Sequence, residues 1–64
     1  MYKEYDVVRL REDRNEDGLK KGAIGAVLIV HNADPPAYEV EFCDSEGFTL
    51  ALLTLTDTDL LPEE

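Results

Sequence analysis

Sixty-four residues leave room for one domain, and at that size only about 60% of the unfolded chain's surface becomes buried, so the core is thin. With 44% hydrophobic and 33% charged residues the composition is that of a folded globular chain, not a disordered one, despite a net charge of -9. One cysteine excludes an internal disulfide, one histidine with one cysteine excludes a closed zinc site, and the longest apolar run, AIGAVLIV, falls far short of the ~20 residues a membrane span needs.

A lone thiol fits a reducing compartment, and the opening MYKEYD has no apolar run suited to a signal peptide. A cytoplasmic protein with no membrane contact is expected. Charge is unevenly placed. All six basic residues (Lys3, Arg9, Arg11, Arg14, Lys20, Lys21) precede Gly22, where six acids balance them, whereas nine acids and no lysine or arginine follow. One side of the molecule should therefore carry a negative field.

Tyr5 to Leu10, YDVVRL, alternates well enough for a first strand, with Val8 and Leu10 on one face and Val7 and Arg9 on the other. The segment REDRNEDGLKKG is too polar for a core element and lacks a helical apolar stripe, so it reads as a long exposed loop with Leu19 alone turned inward. Gly22 to His31, GAIGAVLIVH, is the central strand around which the rest is organised. Side chains on a strand alternate faces, so Val27 and Ile29 share a face, and Ile24 joins it only if Gly25 takes up an extra residue in a bulge. A strand bent in that way suggests a closed or nearly closed barrel.

NADPP is turn chemistry, because Asn32 and Asp34 accept local backbone bonds while Pro35 and Pro36 cannot donate to a ladder. Tyr38 to Phe42, YEVEF, is the cleanest alternation in the chain: Tyr38, Val40 and Phe42 point inward, Glu39 and Glu41 outward. CDSEG forms a tight turn with Gly47 at positive φ, and Phe48 to Leu55, FTLALLTL, runs back antiparallel. Thr56, Asp57 and Thr58 then make one 3₁₀ or β-turn, and Asp59-Leu60-Leu61 closes the sheet beside the first strand before Pro62 ends it. Tyr2, Tyr5, Tyr38, Phe42 and Phe48 are the large core pieces available. The expected core is Val8, Leu10, Ile24, Val27, Ile29, Tyr38, Val40, Phe42, Leu53 and Leu60.

This order of elements is that of a small five-stranded, all-β, SH3-like antiparallel barrel occupying residues 1–64 as a single domain. The motifs DVVRL (Asp6 to Leu10), GLKKG (Gly18 to Gly22), YEVEF (Tyr38 to Phe42) and GFTLALLTL (Gly47 to Leu55) together resemble the small bacterial domain-of-unknown-function family 4926 across nearly the whole chain. The resemblance implies the SH3-like fold and a bacterial source. It implies no catalytic residue.

Asp13-x-Asn15-x-Asp17-Gly18 opens like a calcium loop, but the twelfth position, which should be glutamate, is Ile24, and the ninth is Lys21. A solvated acidic turn is the expectation, with no metal and no cofactor. His31 has no second histidine and no nucleophile at triad spacing, so it reads as structural. Cys43 stands outward near a turn, where Glu41 and Asp44 blunt its reactivity, and is taken as a partly buried small hydrophobe. Nucleic acid is disfavoured, because its recognition needs a basic stripe and the basic residues here are interleaved with acids.

The strand Phe48 to Leu55 is apolar on both faces, whereas a barrel has one inside. With Thr49, Ala51, Leu53 and Leu55 on the inner face, Phe48, Leu50 and Leu52 lie outside, either under Met1 and Tyr2 or as a contact surface. Beside them stand the outward Glu39 and Glu41. Phe48, Leu50, Leu52, Glu39 and Glu41 are therefore the expected partner-binding residues, and the partner is a basic enzyme or a second copy. The functional expectation is a non-enzymatic, acidic neutralising protein of the antitoxin or immunity kind. The alternatives are an accessory structural subunit of a redox or photosynthetic complex and a calcium-dependent or nucleic-acid-related protein.

Overall fold

The computed structural model describes residues 1–63. Five antiparallel strands, β1 (Val7–Leu10), β2 (Ile24–His31), β3 (Ala37–Cys43), β4 (Thr49–Thr56) and β5 (Leu60–Pro62), form one sheet in the order β4-β3-β2-β1-β5. Single 3₁₀ turns lie at Asn15–Asp17, inside the long β1–β2 connection, and at Asp57–Asp59, which makes up the whole link from β4 to β5. The fold is thus the all-β, SH3-like arrangement, but the sheet stays open: β4 and β5 are its two edges. Leu55 of β4 and Leu60 of β5 nevertheless belong to one buried cluster with Val8, Leu10, Leu19, Val27, Tyr38, Val40 and Phe42. Strands from opposite ends of a sheet can share a core only if the sheet curls over it.

The strand alternation of β3 is as the sequence dictates. Tyr38, Val40 and Phe42 are buried, and the intervening glutamates point to the other face. The last 3₁₀ turn is held by reciprocal bonds between Thr56 and Asp59, with the Thr56 N–H donating to Asp59 Oδ2 at 2.9 Å. Gly47 adopts φ 88, which lets the chain reverse over Ser45, Glu46 and Gly47, closed by the Asp44 N–H donating to the Phe48 carbonyl at 2.9 Å.

In β2 the bulge exists but not at Gly25. Val27 pairs with Val40 and Ile29 with Glu39, so Leu28 is the inserted residue. Ahead of it Gly25 and Val27 face inward; behind it Val30 does. Ile24 and Ile29, expected in the core, are instead 49% and 51% exposed on the outer face. Gly25 serves a different end. It lies against Phe42 and Val40, where a Cβ would come within 2.8 Å of both side chains.

Three further expectations change. Tyr5 is not strand but turn, at φ 71 and 72% exposed, so the first strand starts at Val7. Phe48 is 68% exposed at the mouth of the β3–β4 hairpin, which leaves Tyr38 and Phe42 as the buried aromatics, with Tyr2 packed edge-on against Tyr38. Leu55, opposite Tyr38, is fully enclosed, whereas Leu53 nearer the open end of the strand is half-buried.

Candidate functional site

Among the described residues the inner face of the sheet is filled and the outer face is bare. Cross-strand pairing runs Val7 to Ala26, Ala26 to Glu41 and Glu41 to Leu52, a row spanning four strands, and a second row runs Ile29, Glu39, Thr54. Val7, Ile24, Ile29, Leu50 and Leu52 are each about half exposed on or beside these rows. A shallow, open depression between Val7, Ile24, Ala26, Glu41 and Cys43 lies in the middle. The N-terminus does not cover it. Tyr2 packs on the inner core, its ring centroid 5.6 Å from that of Tyr38, while Met1 is exposed.

Of the residues the sequence points to, Glu39, Glu41 and Leu52 share this face. A second bulge, at Leu50, separates them from Phe48: Phe42 pairs with Ala51, but Cys43 pairs with Thr49. Thr49 is therefore on the outer face, not with Ala51, and donates to Glu41 Oε2 at 2.6 Å. Leu50 sits in the bulge, and Phe48 falls beyond the strand. Val7, Ile24, Ala26 and Ile29 are the residues that sequence reasoning missed. Treating Gly25 as an ordinary strand position, alternating with Ile24 and Ala26, would have found two of them.

The two glutamates are held in place by neutral or basic donors. Glu39 accepts from His31 Nε2 at 2.8 Å and from Thr54 Oγ1 at 2.9 Å. The His31 bond and then the Thr54 bond hold its carboxyl below the ordinary range, outweighing a small desolvation effect. The order of this chain matters chemically. A hydrolytic triad places the base between nucleophile and carboxylate, whereas here the carboxylate stands between threonine and histidine, and among the described residues His31 bonds Glu39 and not Thr54.

On the inner side, the Tyr38 hydroxyl accepts from the Tyr2 N–H at 3.1 Å and donates to Asp57 Oδ1 at 2.9 Å. Burial, reinforced by Asp57, pushes the Tyr38 hydroxyl above its ordinary pKa, and burial likewise raises that of Tyr2. This is a joint between the N-terminus and the last turn.

The arginines are bonded to the chain itself. Arg9 bonds the Gly22 carbonyl at 3.0 Å and pairs with Glu63, Arg11 Nη2 donates to the Leu60 carbonyl at 3.2 Å, and Arg14 pairs with Asp59 at 3.4 Å. In the Asp13 to Gly18 segment two of the three calcium-like side chains are likewise engaged. Asp13 Oδ1 accepts from the Lys21 N–H at 2.7 Å, and Asn15 Oδ1 accepts from Lys20 Nζ at 3.3 Å. Among the described residues no three His, Cys, Asp or Glu side chains gather as metal ligands. Cys43, expected to be partly buried, is exposed beside the central depression, because the β3 alternation turns it to the uncovered face. Among the described residues no helix is long and apolar enough to cross a membrane.

Fold and site together define a small all-β protein with one filled and one bare sheet face. The chain belongs to the family described as Domain of unknown function (DUF4926), whose model matches residues 4–62. No curated protein and no solved structure matches it.

Proposed function

We propose that this protein is a non-enzymatic binding module that neutralises a basic bacterial enzyme, in the manner of an antitoxin or immunity protein, through the outer face of its sheet. One observation carries the reading: the exposed apolar residues Val7, Ile24, Ile29 and Leu52 surround Glu39 and Glu41, in a chain whose part after Lys21 contains no basic side chain but histidine. Apolar area supplies affinity on desolvation, and the acidic residues supply attraction and orientation for a cationic partner. The arginines do not compete, being bonded to the chain's own carbonyls and carboxylates.

The product of the adjacent gene is the partner to test. Co-expression should give a complex, with the partner's activity suppressed. Glu39→Lys with Glu41→Lys should slow association about tenfold or more at low salt and flatten its salt dependence. If that product is neither bound nor inhibited, the reading is wrong.

A further inference from the structure

The two edges of the sheet are treated differently. The edge at β5 is three residues long, ends in Pro62 and has its Leu60 carbonyl covered by Arg11. The edge at β4 is eight residues, TLALLTLT, with no charge and no proline. Short length, proline and charge are the devices that keep an edge from pairing, and β4 has none of them.

Which groups of β4 are available follows from bonds elsewhere in the sheet. Val27 donates to the Asp6 carbonyl at 2.9 Å and accepts from the Tyr5 N–H at 2.6 Å, so its backbone faces β1. Neighbours along a strand face opposite ways, and residues paired across an antiparallel ladder either exchange both bonds or neither. Ala26 therefore faces β3, its partner Glu41 faces β2, and Val40 and Phe42 face β4. Leu53 and Ala51 bond back to them, which leaves the N–H and C=O of Leu52 and Thr54 pointing out of the sheet. Thr56 has the same parity, and its N–H indeed goes outward, to Asp59. Among the described residues no backbone group meets Leu52 or Thr54 on that side.

We propose that the β4 edge accepts an extended strand from the partner, one in which Lys or Arg alternates with Val, Ile or Leu, pairing with Leu52 and Thr54. The basic character of that strand rests on the functional reading above. On the inner side its apolar residues lie beside Ala51 and Leu53, which the open sheet leaves half-buried, and continue the core. On the outer side its cations reach across Thr54 to Glu39, two strand spacings or about 10 Å away, within the combined length of two extended side chains. Edge-to-edge pairing with the β4 of a second copy brings no such cation, since β4 is uncharged and each chain carries -9.

The test uses the full chain made by chemical synthesis, with N-methyl groups on Leu52 and Thr54, or with an ester replacing the Leu52 amide should methylation disturb folding. The probe is an octapeptide of alternating Lys and Val; controls are alternating Glu and Val, and four Lys followed by four Val. The alternating cationic peptide should slow hydrogen exchange at Leu52 and Thr54, and backbone modification should weaken its binding about tenfold or more with the melting temperature unchanged. Equal binding of the blocked peptide, no binding at all, or undiminished binding to the modified protein overturns the proposal. So does a dimer of the unmodified protein that the modification dissociates, which would assign the edge to a second copy. Peptide pairing on β4 alongside an indifferent neighbouring gene product would overturn the function and leave the edge assignment standing.

Discussion

Gly25 and Phe42 are register partners on adjacent strands, and a Cβ on Gly25 would stand 2.8 Å from Cε1 of the Phe42 ring. The ring occupies the volume that any other residue at position 25 would fill. Val40 closes the same space from the other side, also at 2.8 Å. Gly25→Ala should therefore destabilise the protein by about 1–3 kcal/mol through forced repacking, which in a domain this small lowers the melting temperature by about 4–8 °C per kcal/mol. An unchanged melting curve would show that the ring moves freely.

Phe42 and Ile29 offer a contrast in parity. Phe42→Ala empties the centre of a thin core and should cost about 3–5 kcal/mol, comparable to the whole stability of such a domain. Ile29→Ser, on the far side of the Leu28 bulge, should change stability by less than about 0.5 kcal/mol. Urea denaturation of both variants checks the assignment. A severe loss for Ile29→Ser would move the bulge back to Gly25.

The outer-face leucines bear on binding. Leu50→Ser with Leu52→Ser should leave the melting temperature nearly unchanged, because both side chains are more than half exposed, while capture of the partner is lost. Differential scanning calorimetry and a binding isotherm on the same preparation decide it. Unfolding of the double variant, or undiminished affinity in a stable one, would each remove these leucines from the binding face.

Glu39 gives a pH signature. Its carboxyl is held low in the folded protein by His31 and Thr54, so below its ordinary pKa the unfolded chain binds more protons than the folded one. The associated stability is present above the ordinary carboxylate value and is lost as pH falls through the lowered folded value. In His31→Gln combined with Thr54→Val, the Glu39 midpoint followed by carboxyl ¹³C shifts should rise toward the ordinary value. The stability difference from the wild type should then fade on acidification. A midpoint indifferent to both substitutions would mean that these bonds do not persist in solution.

The alternation of YEVEF determined β3 and its three buried side chains by itself, since a period of two with large apolar residues on one side admits only one burial pattern. Turn chemistry at NADPP and CDSEG placed the two reversals, and the family motifs and element order carried the five-stranded all-β fold. The segregation of charge is likewise written in the sequence and needs no structure to be seen.

Only the tertiary structure decided where the bulges fall. An extra residue at Leu28 and another at Leu50 leave local propensity unchanged, but each reverses the facing of everything beyond it. Ile29 was moved from core to surface in this way, and Thr49 from inner face to outer. Gly25 misled for a related reason: a glycine in a strand marks either a bulge or a close approach, and the choice lies with Phe42, distant in sequence. The unpaired edge of β4 is also invisible to periodicity, because pairing is a property of two strands, and whether β4 meets β5 depends on how far the whole sheet curls.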